Sequence, residues 1–230
     1  MIVLIAQITG TTKPNEVVVI AAHLDDRPWT GGRASGADDD ATGCATLLYI
    51  ARTFAKLSFE RTIRFAFFNA EEDAPWSGSG KDFGSGYYAA GLRAANENVV
   101  AMIAADSLAW NLSNNGVTYM VTRKPKADPG GGDLAIATAW QQVFPLYGIT
   151  GITPLVQASG DNLDDHGSFW VNGYPATMLI EDDVSQVNPN WEQLSDQVTT
   201  PGWRWGYFLA NARSLVAVAA HLAGGRGSSD

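Results

Sequence analysis

A histidine and several carboxylates stand in this sequence where hydrophobic runs end. The run at 17–22 leads into His23 and Asp25, which alternation along an extended strand places on the same side. Shortly after comes "GADDDATG", residues 36–43, in which three successive aspartates precede a helical pattern. Imidazole and carboxylate groups are ligands of divalent metal ions, and the Asp25 carboxylate is placed to orient the imidazole. Because adjacent negative charges repel one another unless a cation lies among them, this pattern predicts a metal ion.

Two further hydrophobic runs lead to acidic residues that a hydrolytic reaction needs. "TIRFAFFNA" at 62–70 is followed by Glu71 and Glu72, and "VVAMIAAD" at 99–106 ends in Asp106. If the backbone is extended, Glu71 and Glu72 point to opposite sides, so one can bind metal while the other accepts a proton from water. Helix capping or a solvated acidic loop would explain any one of these segments alone. Their repetition at successive strand ends favours a hydrolytic metal site.

Strand and helix patterns that alternate along the chain must bring these strand ends together. Short hydrophobic runs, several of them typical of strands buried on both faces, occur at 2–9, 17–22, 62–69, 99–105, 117–122 and 175–180. Apolar stripes with helical spacing lie at 44–55 and 208–222. We therefore predict an α/β protein, a three-layer α/β/α sandwich around a mostly parallel, mixed central sheet. In such folds ligands bind at the carboxyl ends of the strands.

The composition narrows the class of protein and of partner. A chain of 230 residues with 46% hydrophobic and 17% charged residues predicts one globular domain, residues 1–224, followed by a flexible tail at 225–230. A net charge of -9 argues against nucleic acid, which needs clustered basic residues. No run is long enough to span a membrane. Nothing in the sequence predicts an oligomeric state.

These segments, in their order along the chain, resemble metallopeptidase family 28, the co-catalytic two-zinc aminopeptidases and their relatives. The resemblance runs from about residue 2 to about residue 222 and includes "VVVIAAHLDD", "GADDDATGCATLL", "FAFFNAEED", "DDHGSFWVNGYPATM" and "NPNWEQLSD". It implies a zinc-exopeptidase-like fold and a metallo-aminopeptidase, a hydrolase that releases N-terminal residues from a peptide substrate. It also implies a secreted or periplasmic protein, although the chain shows no signal peptide. Helices that precede the first strand in the family are expected to be absent here.

The resemblance also implies a role for individual residues. His23 and Asp106 would bind one zinc ion, and Asp39 would bridge to a second zinc ion bound by Glu72. Glu71 would be the general base. The following residues would support these ligands or contact substrate: Asp25, Asp40, Asp165, His166, Trp191 and Asp196.

The stretch "DDD" needs a choice between neighbouring aspartates. Asp39 is chosen over Asp38 because the family ligand lies four residues before the glycine that matches Gly43. The resemblance further implies that the Asp39–Asp40 peptide bond is cis.

Glu192 is a departure from the family pattern. It stands where the family has the histidine that completes the second metal position. A carboxylate can bind zinc, but it adds negative charge and favours harder ions. We therefore expect Glu192 to bind metal with an altered metal preference. The alternative is a solvated loop carboxylate with no part in the site.

Two other functions compete with the peptidase hypothesis. Glutaminyl cyclases share this fold and use a single metal at the positions of Asp39, Glu72 and Glu192. Loss of the histidine therefore weakens the hypothesis of a cyclase-like acyltransferase more than it weakens the peptidase hypothesis. A non-catalytic binding module with a degenerate dimetal site is the third possibility. The presence of Glu71 argues against it, because a binding scaffold needs no general base.

Overall fold

The computed structural model describes residues 3–28, 33–72, 84–111, 114–158, 164–181 and 188–225. Within these ranges the elements, in chain order, are β1 (Leu4–Ile8), β2 (Lys13–His23), α1 (Ala41–Phe54), β3 (Arg61–Phe68), α2 (Gly84–Ala94), β4 (Asn98–Asp106), β5 (Val117–Thr122), α3 (Gly132–Tyr147), β6 (Thr153–Ala158), α4 (Asp165–Val171), β7 (Ala176–Glu181) and α5 (Trp205–Leu222). Residues 226–230 of the predicted tail lie outside the described ranges. Among the described residues no helix is both long and apolar enough to cross a membrane.

All seven strands join one mixed sheet in the order β1-β3-β2-β4-β7-β5-β6. The central strands β3, β2, β4 and β7 are parallel, whereas β1 and β5 run antiparallel to their neighbours β3 and β7. The parallel strands therefore end on one edge, which carries His23, Asp106 and Glu181 as terminal strand residues. This carboxyl edge is where the predicted site residues should meet.

The strand β2 shows why the hydrophobic runs are nearly continuous. Its residues Val18 and Ile20 join one core cluster, and its residues Val17 and Val19 join a second cluster on the opposite face. Side chains of α1, α3 and α5 complete the first cluster, and those of α2 and α4 complete the second. Since helices cover both faces, both sets of alternate side chains must be apolar. The predicted three-layer mixed α/β sandwich is confirmed.

Several predicted elements need correction. β2 begins at Lys13, before the predicted start, because the polar residues 13–16 continue the strand through a register shift against β3. β6 was not predicted, since this partly exposed edge strand contains Pro154 and carries no hydrophobic run. β1 was predicted, but it too is an edge strand, and its residue Leu4 is 54% exposed. Its apolar sequence therefore does not mark a strand buried on both faces.

Candidate metal centre

His23, Asp39 and Asp106 form a cluster at the carboxyl edge of the sheet. Strands β2 and β4 pair in parallel, so their last residues, His23 and Asp106, reach this edge side by side. His23 Nε2 lies 3.0 Å from Asp39 Oδ1 and 3.6 Å from Asp106 Oδ1. Ligand atoms of the three residues all lie within 4.8 Å of one another. Asp39, and not Asp38, is thus the aspartate that approaches the imidazole.

The Asp25 carboxylate does not orient the imidazole, contrary to the sequence-based prediction. His23 Nδ1 lies 3.0 Å from the backbone carbonyl oxygen of Asp25. The Asp25 carboxylate instead accepts hydrogen bonds from the backbone N–H groups of Glu71, at 3.2 Å, and Glu72, at 3.1 Å. These N–H groups lie beyond the end of β3, and the Asp25 carboxylate supplies the acceptor that each backbone N–H needs. Asp25 therefore positions the two glutamates, and its backbone carbonyl positions the histidine.

Glu71 and Glu72 both approach His23, although an extended backbone would direct them to opposite sides. β3 ends at Phe68, and Ala70 adopts a positive φ of 66°, which turns the chain before the two glutamates. As a result, ligand atoms of His23, Glu71 and Glu72 all lie within 4.8 Å of one another. The turn brings a predicted base and a predicted metal ligand to the same imidazole.

The aspartate loop before α1 is bound to the site by hydrogen bonds on both sides. The Asp39–Asp40 peptide bond is cis, as predicted. Asp40 caps α1 by accepting from Gly43 N at 2.9 Å, and its other oxygen accepts from His23 N at 3.2 Å. Asp196 accepts from the backbone N–H groups of Asp38 and Asp39 at 2.9 and 3.2 Å. Asp40 thus serves both as a helix cap and as a support for His23.

Sequence reasoning missed an acidic pair formed by Asp38, in this loop, and Glu181, the last residue of β7. Both side chains are buried; Asp38 accepts from Ala109 N at 2.8 Å, and Glu181 accepts from Trp110 N. Burial raises the pKa of Asp38 to about 7 and that of Glu181 well above its ordinary value. Glu181 follows a predicted strand at 175–180, so the rule applied to the other strand ends would have found it.

Glu192 is buried and forms an ion pair that the sequence did not predict. Its residue exposure is 3%, so the alternative of a solvated loop carboxylate is wrong. Arg27 Nη2 lies 3.1 Å from Glu192 Oε1, while Glu192 Oε2 has no hydrogen-bond partner among the described residues. Glu192 belongs to neither of the two groups of close metal-ligating atoms in the described part of the chain. No local signal in the sequence links Arg27 to Glu192, which lies 165 residues away.

The start of α4 adds further titratable groups near this edge. Asp165 and His166 are buried, and the rings of His166 and Trp170 pack nearly perpendicular to each other with centroids 4.4 Å apart. Burial, followed by the charge of Asp164, raises the pKa of Asp165 to about 8. Burial also raises the pKa of Asp164, but hydrogen bonding to His166 and the positive charge of His166 bring it below its ordinary value. Trp191 is half-buried, and its backbone N–H donates to the carbonyl of Asn188.

The carboxyl groups of this edge lie close together in a buried setting that disfavours their charged forms. Burial raises the pKa of Glu72 to about 10 and that of Asp106 to about 7, and the charge of Asp39 adds to both shifts. Burial likewise raises the pKa of Glu71 well above its ordinary value. A divalent cation among these groups would favour their charged forms and lower the pKa values. One imidazole and several carboxylates are donors that zinc accepts, so the residues present fit a metal ion.

Comparison with known proteins places this arrangement in a family context. The family model described as "Peptidase family M28" matches residues 4–217. "Leucine aminopeptidase 1" of Trichophyton equinum is 26% identical over 234 residues, which cover 96% of this chain and 57% of that protein. The chain thus spans a little over half the length of this curated relative.

Solved structures share the fold. A zinc aminopeptidase from Bacillus subtilis superposes with a TM-score of 0.75 at 17% identity. The superposition covers 96% of this chain and 50% of the Bacillus chain. A glutaminyl cyclase from Porphyromonas gingivalis superposes with a TM-score of 0.73 at 20% identity and covers 96% and 77%, respectively. At these identities the likeness concerns the fold, which an aminopeptidase and a cyclase have in common.

Proposed function

The chain belongs to peptidase family M28, and from this we propose that it is a metal-dependent aminopeptidase that hydrolyses the N-terminal residue from peptides. The observation that carries the proposal is the meeting of His23, Asp39, Asp106 and two adjacent glutamates at one edge of the sheet. The name of the Trichophyton relative supports the reaction, and the name of the Bacillus structure supports zinc.

We propose that the site holds two zinc ions. His23 and Asp106 would bind one ion, Asp39 would bridge, and Glu72 with Glu192 would bind the other. When bound, zinc would polarise the scissile carbonyl and lower the pKa of the attacking water. The close approach of His23 Nε2 to Asp39 and Asp106 supports the first position.

Glu71 is the proposed general base. It accepts a proton from water as the water oxygen attacks the scissile carbonyl, and it donates that proton to the leaving nitrogen as the C–N bond breaks. Asp25 holds the backbone of Glu71 by accepting its N–H, and this contact fixes where the base stands. Because burial raises the pKa of Glu71, the carboxylate has a higher affinity for protons than an exposed glutamate has.

The remaining predicted residues support or border the reacting groups. Asp40 and Asp196 hold the loop that carries Asp39, through the hydrogen bonds described above. Asp165 and His166 at the start of α4, together with Trp191, are proposed to contact the substrate. The negative charge of this region suits the positively charged amino terminus of a peptide.

Substitution of Glu71 by glutamine tests the mechanism. Glu71→Gln keeps the side-chain volume but cannot accept the proton, so kcat on aminoacyl anilides should fall about 10²- to 10⁴-fold while zinc content stays unchanged. Glu97→Gln, at the opposite end of the sheet beside β4, is the matched control and should keep full activity. If Glu71→Gln remained as active as the wild type, the proposed role of Glu71 would be wrong.

The same protein should be assayed on a peptide with an N-terminal glutamine. Release of free glutamine supports the aminopeptidase, whereas cyclisation with release of ammonia would identify a glutaminyl cyclase. Protein that binds zinc but converts neither substrate would support the non-catalytic binding module.

A further inference from the structure

Arg27 contacts Glu192, the residue that stands where the family has a histidine at the second metal position. The guanidinium contacts Glu192 Oε1 at 3.1 Å, and the Glu192 side chain is fully buried whereas that of Arg27 is 30% exposed. A buried carboxylate needs a compensating cation, since burial without one is strongly unfavourable. In this structure Arg27 is the cation that compensates Glu192.

Arg27 contacts only one of the two oxygen atoms of the Glu192 carboxylate. Glu192 Oε2 is buried and has no hydrogen-bond partner among the described residues. Arg27 therefore contacts one oxygen of the Glu192 carboxylate, and the other oxygen is available to a metal ion.

The two partners differ in their freedom to move. Glu192 is enclosed, and its backbone adopts a positive φ of 54°, so its position is set by the loop. Arg27 reaches the carboxylate from beyond the end of β2 and is in contact with solvent. A flexible arginine side chain can leave the pair and be hydrated, whereas Glu192 cannot.

We propose that Arg27 competes with the second metal ion for Glu192, so that the protein binds one zinc ion tightly and a second only when the Arg27–Glu192 pair opens. This inference rests on the proposed function, because it concerns the same site. It assigns Arg27 a positioning role in metal loading, and it explains how a carboxylate can stand in the place of a histidine without remaining an uncompensated charge.

Stepwise zinc binding tests the proposal directly. Chelator-stripped protein is titrated with zinc by calorimetry, and zinc per chain is measured by mass spectrometry after dialysis at fixed free zinc. Arg27→Gln should bind the second ion about ten- to a hundredfold more tightly than the wild type, because a charge-assisted hydrogen bond no longer has to break. The first binding step, at His23 and Asp106, should be unchanged.

Two further variants separate the pair from a general charge effect. Arg213→Gln removes an exposed arginine of α5 and should leave both steps unchanged. Arg27→Gln combined with Glu192→Gln should lose the gain, since the carboxylate that Arg27 competes for is then missing. Equal second steps in wild type and Arg27→Gln would overturn the proposal, as would a gain that persists in the double variant.

A measurement on the wild type covers the case in which Arg27→Gln does not fold. Nuclear magnetic resonance of the arginine Nε–H groups during a zinc titration should show one arginine signal that changes with the second equivalent but not with the first. If no arginine signal responds to the second equivalent, the proposal is wrong. Protein that hydrolyses peptides and binds two ions with equal affinity would overturn only this inference, whereas protein with neither zinc nor activity would overturn the proposed function as well.

Discussion

Replacing Asp25 by asparagine tests whether its carboxylate positions the glutamates or the histidine. In the structure Oδ1 accepts from Glu71 N at 3.2 Å and Oδ2 accepts from Glu72 N at 3.1 Å. The asparagine amide has one oxygen, so one backbone N–H must face an NH₂ group and loses its acceptor. His23 Nδ1 contacts the backbone carbonyl of residue 25, which the substitution leaves in place.

The expected loss of transition-state stabilisation in Asp25→Asn follows from the removal of one charge-assisted hydrogen bond. Such a bond contributes about 1.5–3 kcal/mol, and a value of about 2 kcal/mol suits partly exposed groups of this kind. If this loss falls on the placement of Glu71 in the transition state, kcat falls about thirtyfold. Because the histidine keeps its contact, the affinity of the tight zinc step should change less than about threefold.

Kinetics on an aminoacyl anilide and zinc calorimetry on the same preparation give both quantities. Asp26→Asn, an exposed neighbouring aspartate, is the matched control and should resemble the wild type. If the carboxylate oriented the imidazole instead, the substitution would weaken zinc binding by about 10- to 100-fold. A fall in zinc affinity as large as the fall in kcat would therefore refute the reasoning.

Two further substitutions test groups outside the reaction. Asp133→Ala removes a fully buried carboxylate that accepts from Arg123 Nε at 2.7 Å and from Ala176 N at 3.0 Å. Because this leaves the buried partners uncompensated, the free energy of unfolding, measured in urea, should fall by about 3–5 kcal/mol. A loss below about 1 kcal/mol would contradict this expectation. Burial raises the pKa of Glu181, so its carboxyl group keeps a proton in the folded protein that it releases in the unfolded chain. The contribution of Glu181 to stability should therefore fall as pH rises above about 4.5, by at most about 1.4 kcal/mol per pH unit. Glu181→Gln should flatten this dependence in urea unfolding between pH 5 and 7, and an unchanged slope would show that Glu181 does not hold the proton.

The strands that could be predicted are those that contain a run of apolar residues, and for the inner strands burial explains that run. β2 from Val17 onward and β4 lie inside the sheet with helices on both faces, so these segments are nearly all apolar, whereas the polar start of β2 at 13–16 was missed. β6 pairs only with β5 at the far edge, and its half-exposed residues do not differ from those of a loop. Prediction failed for β6 because its partial exposure follows from its position at the edge of the sheet, which its local sequence does not show.

In the candidate site, the residues could be predicted from the sequence, but several of their contacts could not. His23, Glu71 and Asp106 could be named because parallel strands end on one edge, which turns separate strand ends into neighbours. The partners of these residues could not be named in the same way. Asp25 was expected to orient the histidine, but the turn at Ala70 presents two backbone N–H groups to its carboxylate.

The sequence by itself determined the fold class, the family pattern and the residue types at the carboxyl edge, because hydrophobic periodicity and acidic strand ends are local properties. Only the tertiary structure decided which charges compensate one another. Glu192 and Arg27 lie 165 residues apart, and nothing in either segment indicates the other. Electrostatic compensation of a buried carboxylate depends on distances of a few ångströms, and these distances are set by the packing of the whole sheet and its loops.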